Sequence, residues 1–297
     1  MTENATHYLV DSSIYVFRAW FTMPEDLVDP EGNPVNALLG FSDFVYQLLS
    51  GEKPEHIAFA FDQSLSRNSI RNQIYPEYKA NRDPAPPELK AQFKFCREFI
   101  RHLGIPEYAS EAYEADDIVG ALVQNAHQQQ SNAIILTADK DLAQLLGPND
   151  LWWDYARQTR MSPAGVEKKF GVRPDQIADL LAITGDKVDN IPGIPGVGIK
   201  TAANLLCKFQ TLDGIIEHID DIPKMKFRGA ARTASLVKEH LSVLELSRQL
   251  TPIFSEDALN EMNVDSKTRP DQGALMEFLE QRGFGQARCD RWQRLIN

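Results

Sequence analysis

Short apolar runs alternate with helical segments along the first half of the chain. Three segments have apolar residues at helical spacing: residues 36–49, 87–103 and 113–127. Four short, mostly apolar runs are typical of buried strands: residues 7–10, 56–61, 133–137 and 151–155. A further helix is predicted to begin near Asp139. This alternation indicates an α/β fold with a mostly parallel sheet and helices on both of its faces.

Strand-like runs become rare after about residue 173. Helical spacing returns at residues 176–183, a stretch rich in Gly and Pro follows, and the remainder is typical of short helices. We therefore predict an α/β domain over residues 1–173 and a helical C-terminal domain over residues 174–297. The 297 residues, of which 43% are hydrophobic, are enough for two such parts around a sizeable core.

Composition also restricts the cellular context that we expect. The three cysteines are far apart and form no C-x-x-C pair, so they favour reduced thiols over a disulfide or zinc framework. No apolar run approaches the roughly 18–20 residues that a membrane span needs, and the first residues lack the pattern of a signal peptide. We expect a cytoplasmic monomer with no membrane partner.

Acidic residues follow three of the predicted strands. Asp11 ends YLVD, Asp62 ends AFAFD, and Asp139 comes two residues after AIILT. In open parallel sheets, functional groups gather at the carboxyl ends of the strands, so these acids should converge. Three motifs, YEADDI, TADKD and TGDKVDN, supply the remaining candidates: Glu114, Asp116, Asp117, Asp141, Asp186 and Asp189.

Each acid has a structural explanation when it is considered alone, as a helix-terminal, turn or capping residue. Together, several close carboxylates would repel one another and raise one another's pKa, so they need cations. Carboxylate oxygens without His or Cys suit Mg²⁺ or Mn²⁺, and two such ions about 3.5–4 Å apart are typical of phosphodiester cleavage. Asp186 and Asp189 would face one metal if the local backbone is helical. Without metal we expect them to repel their neighbours.

Residues 193–206 read GIPGVGIKTAANLL and suggest a phosphate contact. Gly196 and Gly198 allow a tight turn, and Lys200 and Thr201 would lie in the first turn of the following helix. A dinucleotide-binding G-x-G-x-x-G loop is disfavoured, because position 201 is Thr and no strand precedes the glycines. The pattern matches a helix-hairpin-helix over about residues 191–208, and a plain turn between helices remains the alternative.

The polar segment over residues 63–86 is predicted to be a mobile connection. Within it, Tyr75 and Tyr78 interleave with Arg71, Lys79 and Arg82, a mixture expected where single-stranded nucleic acid binds. A solvated polar loop is the alternative.

The charge balance at first argues against a nucleic-acid partner, because the net charge is −11. Its distribution removes the objection. Between Arg67 and Arg101, eight Lys or Arg residues stand against four Asp or Glu residues. A basic track beside an acidic pocket is compatible with this total.

Six motifs occur in one order along the chain: LVDSS, FAFD, YPEYKANR, YEADDI, TADKDL and TGDKVDNIPGIPGVGIKTAANLL. In order and spacing they resemble the bacterial 5′→3′ exonucleases. That family includes the N-terminal nuclease domain of DNA polymerase I and is related to phage and eukaryotic flap endonucleases. The resemblance runs from about Tyr8 to Phe209. Because no polymerase segment follows, the chain looks like a stand-alone nuclease.

The resemblance implies a PIN-like fold, a helical arch over about residues 63–103 through which a 5′ strand passes, and a helix-hairpin-helix that grips the duplex. It implies that two Mg²⁺ ions, with Mn²⁺ as a substitute, are bound by nine acids: Asp11, Asp62, Glu114, Asp116, Asp117, Asp139, Asp141, Asp186 and Asp189. The basic residues of the arch fall on Lys79 and Arg82, beside Tyr78, as catalytic and DNA contacts. The hairpin of this family also holds a monovalent cation such as K⁺.

The function expected from these features is hydrolysis of DNA phosphodiester bonds at 5′ ends and 5′ flaps during replication or repair, with RNA primers on DNA as further substrates. Two alternatives remain open at this point. One is a non-catalytic protein that binds DNA junctions, and the other is a PIN-type ribonuclease.

Overall fold

The computed structural model describes residues 5–63, 69–254, 262, 264 and 268–297. Residue contacts divide the chain into two compact units, each built from separate stretches of sequence. Unit 1 comprises Met1–Leu65, Pro84–Ala138 and Ser255–Asn297, and unit 2 comprises Ser66–Asp83 and Asp139–Phe254. The linear boundary expected near residue 173 stays a prediction.

The described residues form strands and α-helices in the following order. The strands are β1 (Thr6–Asp11), β2 (His56–Asp62), β3 (Glu107–Ser110), β4 (Asn132–Leu136), β5 (Leu151–Asp154) and β6 (Thr159–Met161). The helices are α1 (Ser12–Thr22), α2 (Asn36–Glu52), α3 (Ile70–Ile74), α4 (Pro87–His102), α5 (Ala115–Gln128), α6 (Pro163–Phe170), α7 (Ile177–Thr184), α8 (Ile199–Phe209), α9 (Leu212–Glu217), α10 (Ala230–Glu239), α11 (Leu241–Leu250), α12 (Gln272–Gln281) and α13 (Gln286–Ile296).

Unit 1 is built on a parallel sheet with the strand order β3-β2-β1-β4. Residues 57–61 of β2 are all fully buried, so both faces of the sheet are covered, as expected for parallel strands between helices. Helix α5 packs against β1, β2 and β4. The predicted parallel α/β architecture is therefore confirmed. Helix α1 and strand β3 were not predicted, because the apolar residues of α1 are too continuous to give a clear period and those of β3 are too few.

The last two helices complete the core of unit 1. The Trp292 ring of α13 is fully buried, with its centroid 5.0 Å from that of Phe99 and 5.4 Å from that of Tyr46. Arg288 and Arg291 form ion pairs with Asp43 of α2. These aromatic and ionic contacts hold the end of the chain in place.

Unit 2 contains an antiparallel hairpin of β5 and β6 and the helices α3 and α6–α11. The helix predicted to begin near Asp139 is instead a short 3-10 helix over Asp141–Leu145. Asp139 precedes it and accepts a hydrogen bond from the Asp141 N–H, at 2.9 Å, which is a turn contact that competes with regular α-helix.

The described part of the predicted mobile connection, residues 69–83, is anchored within unit 2. The Arg71 side chain is 4% exposed and donates to the carbonyl oxygens of Leu250, at 2.9 Å, and Pro252, at 2.8 Å. Tyr78 is 2% exposed and lies in an apolar cluster with Ile191 and Leu250. The expectation of a solvated polar loop is wrong here, because buried carbonyl groups satisfy the Arg71 guanidinium. Residues 64–68 of the predicted arch lie outside the described residues, so the arch stays a prediction.

Candidate functional site

Two acids of unit 1, Asp11 and Asp62, lie where the sequence predicts them, at the carboxyl ends of strands. Asp11 ends β1 and Asp62 ends β2, and these two strands are adjacent and parallel. Asp11 Oδ2 accepts a hydrogen bond from Thr137 Oγ1, at 2.8 Å. Asp62 Oδ1 accepts one from the Ala115 N–H, at 2.9 Å, which ties the end of β2 to the first turn of α5.

The acids at the start of α5 have a visible structural role. Glu114 is the N-cap residue, and the Asp117 carboxylate accepts a hydrogen bond from its N–H, at 3.0 Å. Asp117 is fully buried, and Asp116 lies in the same first helical turn. Capping satisfies N–H groups that a helix terminus leaves without a partner, and negative charge is favourable there. Capping alone therefore accounts for the position of Asp117.

In unit 2, Asp139 and Asp141 are crowded and half-buried. Burial raises the pKa of the Asp139 carboxyl, and the charge of Asp189 raises it further. Burial raises the pKa of Asp141 to about 7, with the charge of Asp139 as the next cause. Asp141 Oδ1 is buried and has no hydrogen-bond partner among the described residues, while Lys140 Nζ lies 3.5 Å away. Both carboxylates would be stabilised by additional positive charge.

Asp186 has such a positive charge beside it. Lys140 Nζ donates a short hydrogen bond to Asp186 Oδ2. Burial by itself would raise the pKa of Asp186, but the hydrogen bond and charge of Lys140 outweigh it and lower that pKa. Burial would likewise lower the pKa of Lys140, yet the charges of Asp141 and Asp186 raise it. Asp186 and Lys140 therefore both remain charged at neutral pH.

The backbone from Asp186 to Asp189 is a turn, so the expected helical i, i+3 arrangement is wrong. Asp186 and Ile191 exchange two backbone hydrogen bonds, of 3.0 and 2.8 Å, which close the turn as an antiparallel bridge. Asp186 Oδ1 also accepts from the Val188 N–H, at 2.7 Å. Because the side chain satisfies backbone groups of its own turn, helix is disfavoured there.

Three residues of the YPEYKANR motif meet at Asp189. The Tyr78 hydroxyl donates to Asp189 Oδ2, at 3.0 Å, Arg82 Nη2 lies 2.5 Å from Oδ1, and Lys79 Nζ lies 3.8 Å from Oδ2. The repulsion expected around Asp186 and Asp189 is thus offset by cations. A buried Tyr78 ring cannot stack on a base, so the predicted DNA contact of Tyr78 does not fit this arrangement.

Two asparagines that were not predicted as site residues connect residues 77–82 to the turn at residues 186–190. Asn81 Nδ2 donates to the Lys187 carbonyl oxygen, at 2.8 Å, and Asn190 Nδ2 donates to the Glu77 carbonyl oxygen, at 2.7 Å. Both lie within quoted motifs, YPEYKANR and TGDKVDN, but an Asn that bonds to distant backbone leaves no periodic signal. The two bonds fix residues 77–82 against the turn that carries Asp186 and Asp189.

The nine predicted metal ligands are therefore found in two groups, one in each unit. Among the described residues, no set of three or more His, Cys, Asp or Glu side chains is arranged to hold a metal ion. In unit 2 the charges of Asp139, Asp186 and Asp189 all raise the pKa of the Asp141 carboxyl, so these four acids share one electrostatic environment. The metal-binding roles stay predictions.

The glycine-rich connection between α7 and α8 has two kinds of glycine. A Cβ atom on Gly193 would lie 2.1 Å from the Gly185 nitrogen, so Gly193 allows two backbone segments to pack closely. At Gly196, where φ is +84°, and at Gly198, a Cβ atom would meet no described atom within 4 Å. Both lie exposed at the tip of a hairpin between two helices. Their backbone is open to a partner, as a phosphate contact requires.

The helix after this hairpin begins as the sequence indicates. Gly198 is the N-cap of α8, and the Thr201 N–H donates to its carbonyl oxygen, at 3.0 Å. Lys200 is exposed in the first turn and forms no ion pair within the described part of the chain. Exposed N–H groups at a helix N-terminus beside a lysine suit an anion.

No described helix is both long and apolar enough to cross a bilayer.

Two family models match successive parts of the chain. Residues 6–171 match "5'-3' exonuclease, N-terminal resolvase-like domain", and residues 172–272 match "5'-3' exonuclease, C-terminal SAM fold". The chain is 37% identical over 262 residues to DNA polymerase I of Bacillus caldotenax, which covers 86% of the chain but 29% of that protein. It is 35% identical over 277 residues to a 5'-3' exonuclease of Aquifex aeolicus, covering 93% of the chain and 91% of that protein.

Solved structures share the fold at lower identity. T5 5'-exonuclease with bound divalent metal ions (zinc) has a TM-score of 0.64 at 18% identity, covering 98% of both chains. The catalytic core of Rad2 in complex with DNA substrate has a TM-score of 0.65 at 16% identity, covering 99% of this chain and 92% of that one. These likenesses show a common fold.

The crowding of Asp139 and Asp141 predicts an unusual dependence of stability on pH. A carboxyl whose pKa is raised in the folded state binds a proton more readily there, so stability falls as pH rises from about 4 towards 7. In EDTA at pH 8, Asp141→Asn should raise the free energy of unfolding by on the order of 2–4 kcal/mol. At pH 4.5 the variant and the unmodified protein should differ little.

Urea denaturation at the two pH values measures this difference. Asp26→Asn, at an exposed position, is the matched control and should show no gain at either pH. If the Asp141 variant gains nothing at pH 8, burial and the charge of Asp139 do not raise the pKa of Asp141 as described.

Proposed function

Because the chain belongs to the 5'-3' exonuclease family, we propose that it is a divalent-metal-dependent nuclease that hydrolyses DNA phosphodiester bonds at 5′ ends and 5′ flaps. The observation that carries the proposal is a group of four acids in unit 2: Asp139, Asp141, Asp186 and Asp189. Three cations contact this group, since Lys79 and Arg82 pair with Asp189 and Lys140 pairs with Asp186. Replication or repair of DNA is the process in which such cleavage is used.

Relatives support the substrate and the cation. The Aquifex aeolicus relative is a 5'-3' exonuclease, the Rad2 core binds a DNA substrate, and T5 5'-exonuclease binds divalent metal ions. Because the chain spans less than a third of the DNA polymerase I relatives, their polymerase activity is not carried over.

The donor chemistry of the acids fits Mg²⁺, with Mn²⁺ as a substitute. All nine side chains offer hard carboxylate oxygens. Asp141 Oδ1 is suited to a cation, because this buried atom has no hydrogen-bond partner among the described residues. We propose that two ions are bound by these nine acids: Asp11, Asp62, Glu114, Asp116 and Asp117 of unit 1, and Asp139, Asp141, Asp186 and Asp189 of unit 2. When bound, such ions supply an activated water and neutralise charge on the attacking and leaving oxygens.

Lys79 and Arg82 are the proposed electrostatic catalysts. Both are held beside Asp189 by ion pairs, and Lys79 is also held by a backbone hydrogen bond of 2.9 Å to the Asp189 carbonyl oxygen. Cations fixed in advance stabilise the extra negative charge of a phosphodiester transition state. The products are a 5′-phosphate and a 3′-hydroxyl.

The hairpin is the proposed grip on duplex DNA. Gly196 and Gly198 would present backbone groups to phosphate oxygens, and Lys200 and Thr201 would contact the same strand from the start of α8. A monovalent cation such as K⁺ is proposed at this hairpin. Because such contacts reach only the backbone, RNA primers on DNA are included as substrates, and the protein is proposed to act as a cytoplasmic monomer.

Metal-dependent cleavage tests the proposal directly. A 5′-flap substrate labelled at its 5′ end should be cut near the junction in Mg²⁺ or Mn²⁺, and EDTA should abolish cutting, because the crowded carboxylates need cations. A 3′-flap of the same sequence is the control, and the flap itself should not be released by cutting at the junction. Full activity in excess EDTA would contradict the metal proposal. Binding without cutting in either ion would favour a junction-binding scaffold.

The hairpin makes a separate prediction. Gly198→Val adds a side chain where no described atom lies within 4 Å and where φ is −94°, so the protein should fold while close approach of phosphate is blocked. Duplex affinity should fall, and the slope of log affinity against log salt should decrease by about 1 for each lost phosphate contact.

Gly285→Val is the matched control, because Gly285 is also an exposed N-cap residue with open space around it. The control should bind DNA like the unmodified protein. Equal affinities and salt slopes for both variants would make the Gly198 hairpin a structural turn.

A further inference from the structure

A run of basic residues in unit 2 lies outside every motif considered so far. The 17 residues from Ile222 to Lys238 include no Asp or Glu, although the whole chain carries a net charge of −11. The run contains five basic residues: Lys224, Lys226, Arg228, Arg232 and Lys238. Such a local reversal of charge sign is the electrostatic footprint expected of a nucleic-acid contact.

The side chains of this run are exposed and largely without compensating charge. Lys224 pairs with Asp221, with its Nζ 2.5 Å from Oδ1. In the parts of the chain that the structure describes, Lys226, Arg228 and Arg232 take part in no ion pair. An ordinary solvated surface of this chain mixes both signs, as at Arg173 with Asp175 and at Arg248 with Asp213. Here the positive charge is left for a partner.

Two basic residues of this run, Lys224 and Lys226, border a concave surface. A cavity of about 690 Å³ is lined by Lys208, Lys224 and Lys226, which face only one lining carboxylate, that of Asp221. Its lining also includes the rings of Phe209 and His218, which are stacked with centroids 5.7 Å apart and an interplanar angle of 18°. Ammonium groups around flat rings can contact phosphates and sugars without reading sequence.

This surface is connected to the hairpin by a single helix. Helix α8 begins directly after Gly198 and ends at Lys208 and Phe209, which line the cavity. Its eleven residues span about 15 Å at 1.5 Å per residue. Phosphates along one strand of B-DNA advance 3.4 Å per base pair, so this span corresponds to about four to five base pairs.

We propose that Lys208, Lys224, Lys226, Arg228 and Arg232, hereafter the α8–α10 basic surface, form a second binding site for the sugar–phosphate backbone of duplex DNA. It contacts the duplex arm held by the hairpin, about four to five base pairs from the hairpin contact. The inference rests on the proposed function and adds to it a minimum length for that arm. Two contacts along one arm fix its direction, which the hairpin alone would leave free to pivot.

The test compares two double variants that remove the same charge. Lys226→Ala/Arg228→Ala removes two exposed cations of the basic surface. Lys168→Ala/Arg294→Ala removes one lysine and one arginine at exposed positions elsewhere, and neither forms an ion pair within the described residues. Circular dichroism and thermal denaturation establish that each variant is folded.

Fluorescence anisotropy in Ca²⁺ measures binding to 5′-flap substrates whose duplex arms are shortened one at a time from 12 to 3 base pairs. For the substrate with two 12-base-pair arms, the surface variant should bind several-fold more weakly, and its salt slope should be smaller by about 2. Shortening one particular arm should weaken binding by the unmodified protein. Its affinity should then equal that of the surface variant. The control variant should follow the unmodified protein throughout.

Two results would overturn the inference. One is equal affinity and salt slope for the surface variant and the unmodified protein on long arms. The other is a loss of affinity in the surface variant that is the same for long and short arms. Such a loss would indicate general electrostatic attraction to DNA rather than a local contact. Failure of the proposed function is a different outcome, in which the unmodified protein neither binds nor cuts any 5′-ended substrate.

Discussion

The compensation of buried carboxylates by fixed cations is the interaction on which unit 2 depends. Asp186 is paired with Lys140, and Asp189 with Arg82 and Lys79. Removing carboxylates from water is costly unless they are paired and hydrogen-bonded, and both acids here have cation and hydrogen-bond partners. Because the partners of Asp189 come from a segment more than 100 residues earlier, the pairing also fixes residues 78–82 in the fold.

The same short connection carries both halves of the proposed activity. Between the end of α7 and the start of α8, the chain first forms the turn that carries Asp186 and Asp189 and then the hairpin of Gly196 and Gly198. The bridge between Asp186 and Ile191 and the close approach of Gly193 to Gly185 hold these two parts together. In the proposed function, a duplex bound at the hairpin would be positioned relative to Asp186 and Asp189 by this short connection, and binding energy from the hairpin would help to position the substrate.

Much of this arrangement could be predicted from the sequence, and the rest could not, for physical reasons. Two apolar strands that end at Asp11 and Asp62 predicted a parallel sheet with acids at the carboxyl ends of its strands. This was possible because apolar spacing and the position of a residue along a strand are local properties of the sequence. Arg71 and Tyr78 can be buried because residues distant in sequence satisfy their polar groups. Arg71 donates to the Leu250 carbonyl oxygen, and Tyr78 donates to the Asp189 carboxylate. Residue type suggested a solvated loop there, and tertiary contacts reversed that interpretation.

The acids show the same division between local and distant information. Their clustering in motifs was visible, but the cations that accompany them were assigned to the phosphate of a substrate, not to the acids themselves. The sequence left both a turn and a helix open at Asp186, because i, i+3 spacing fits a helix as well as a bridge closed by Ile191. Spacing constrains which side chains can meet only after the backbone is known.

If the two groups of acids hold divalent cations, as proposed, a bound metal should be directly observable at them. Crystals of the unmodified protein grown with Mn²⁺ would give anomalous scattering that locates each ion without assumptions about activity. The account predicts peaks about 2.1 Å from carboxylate oxygens of both groups, with Asp141 Oδ1 among the ligands. A map at saturating Mn²⁺ with no peak at either group, and with Lys140 still paired to Asp186, would contradict it.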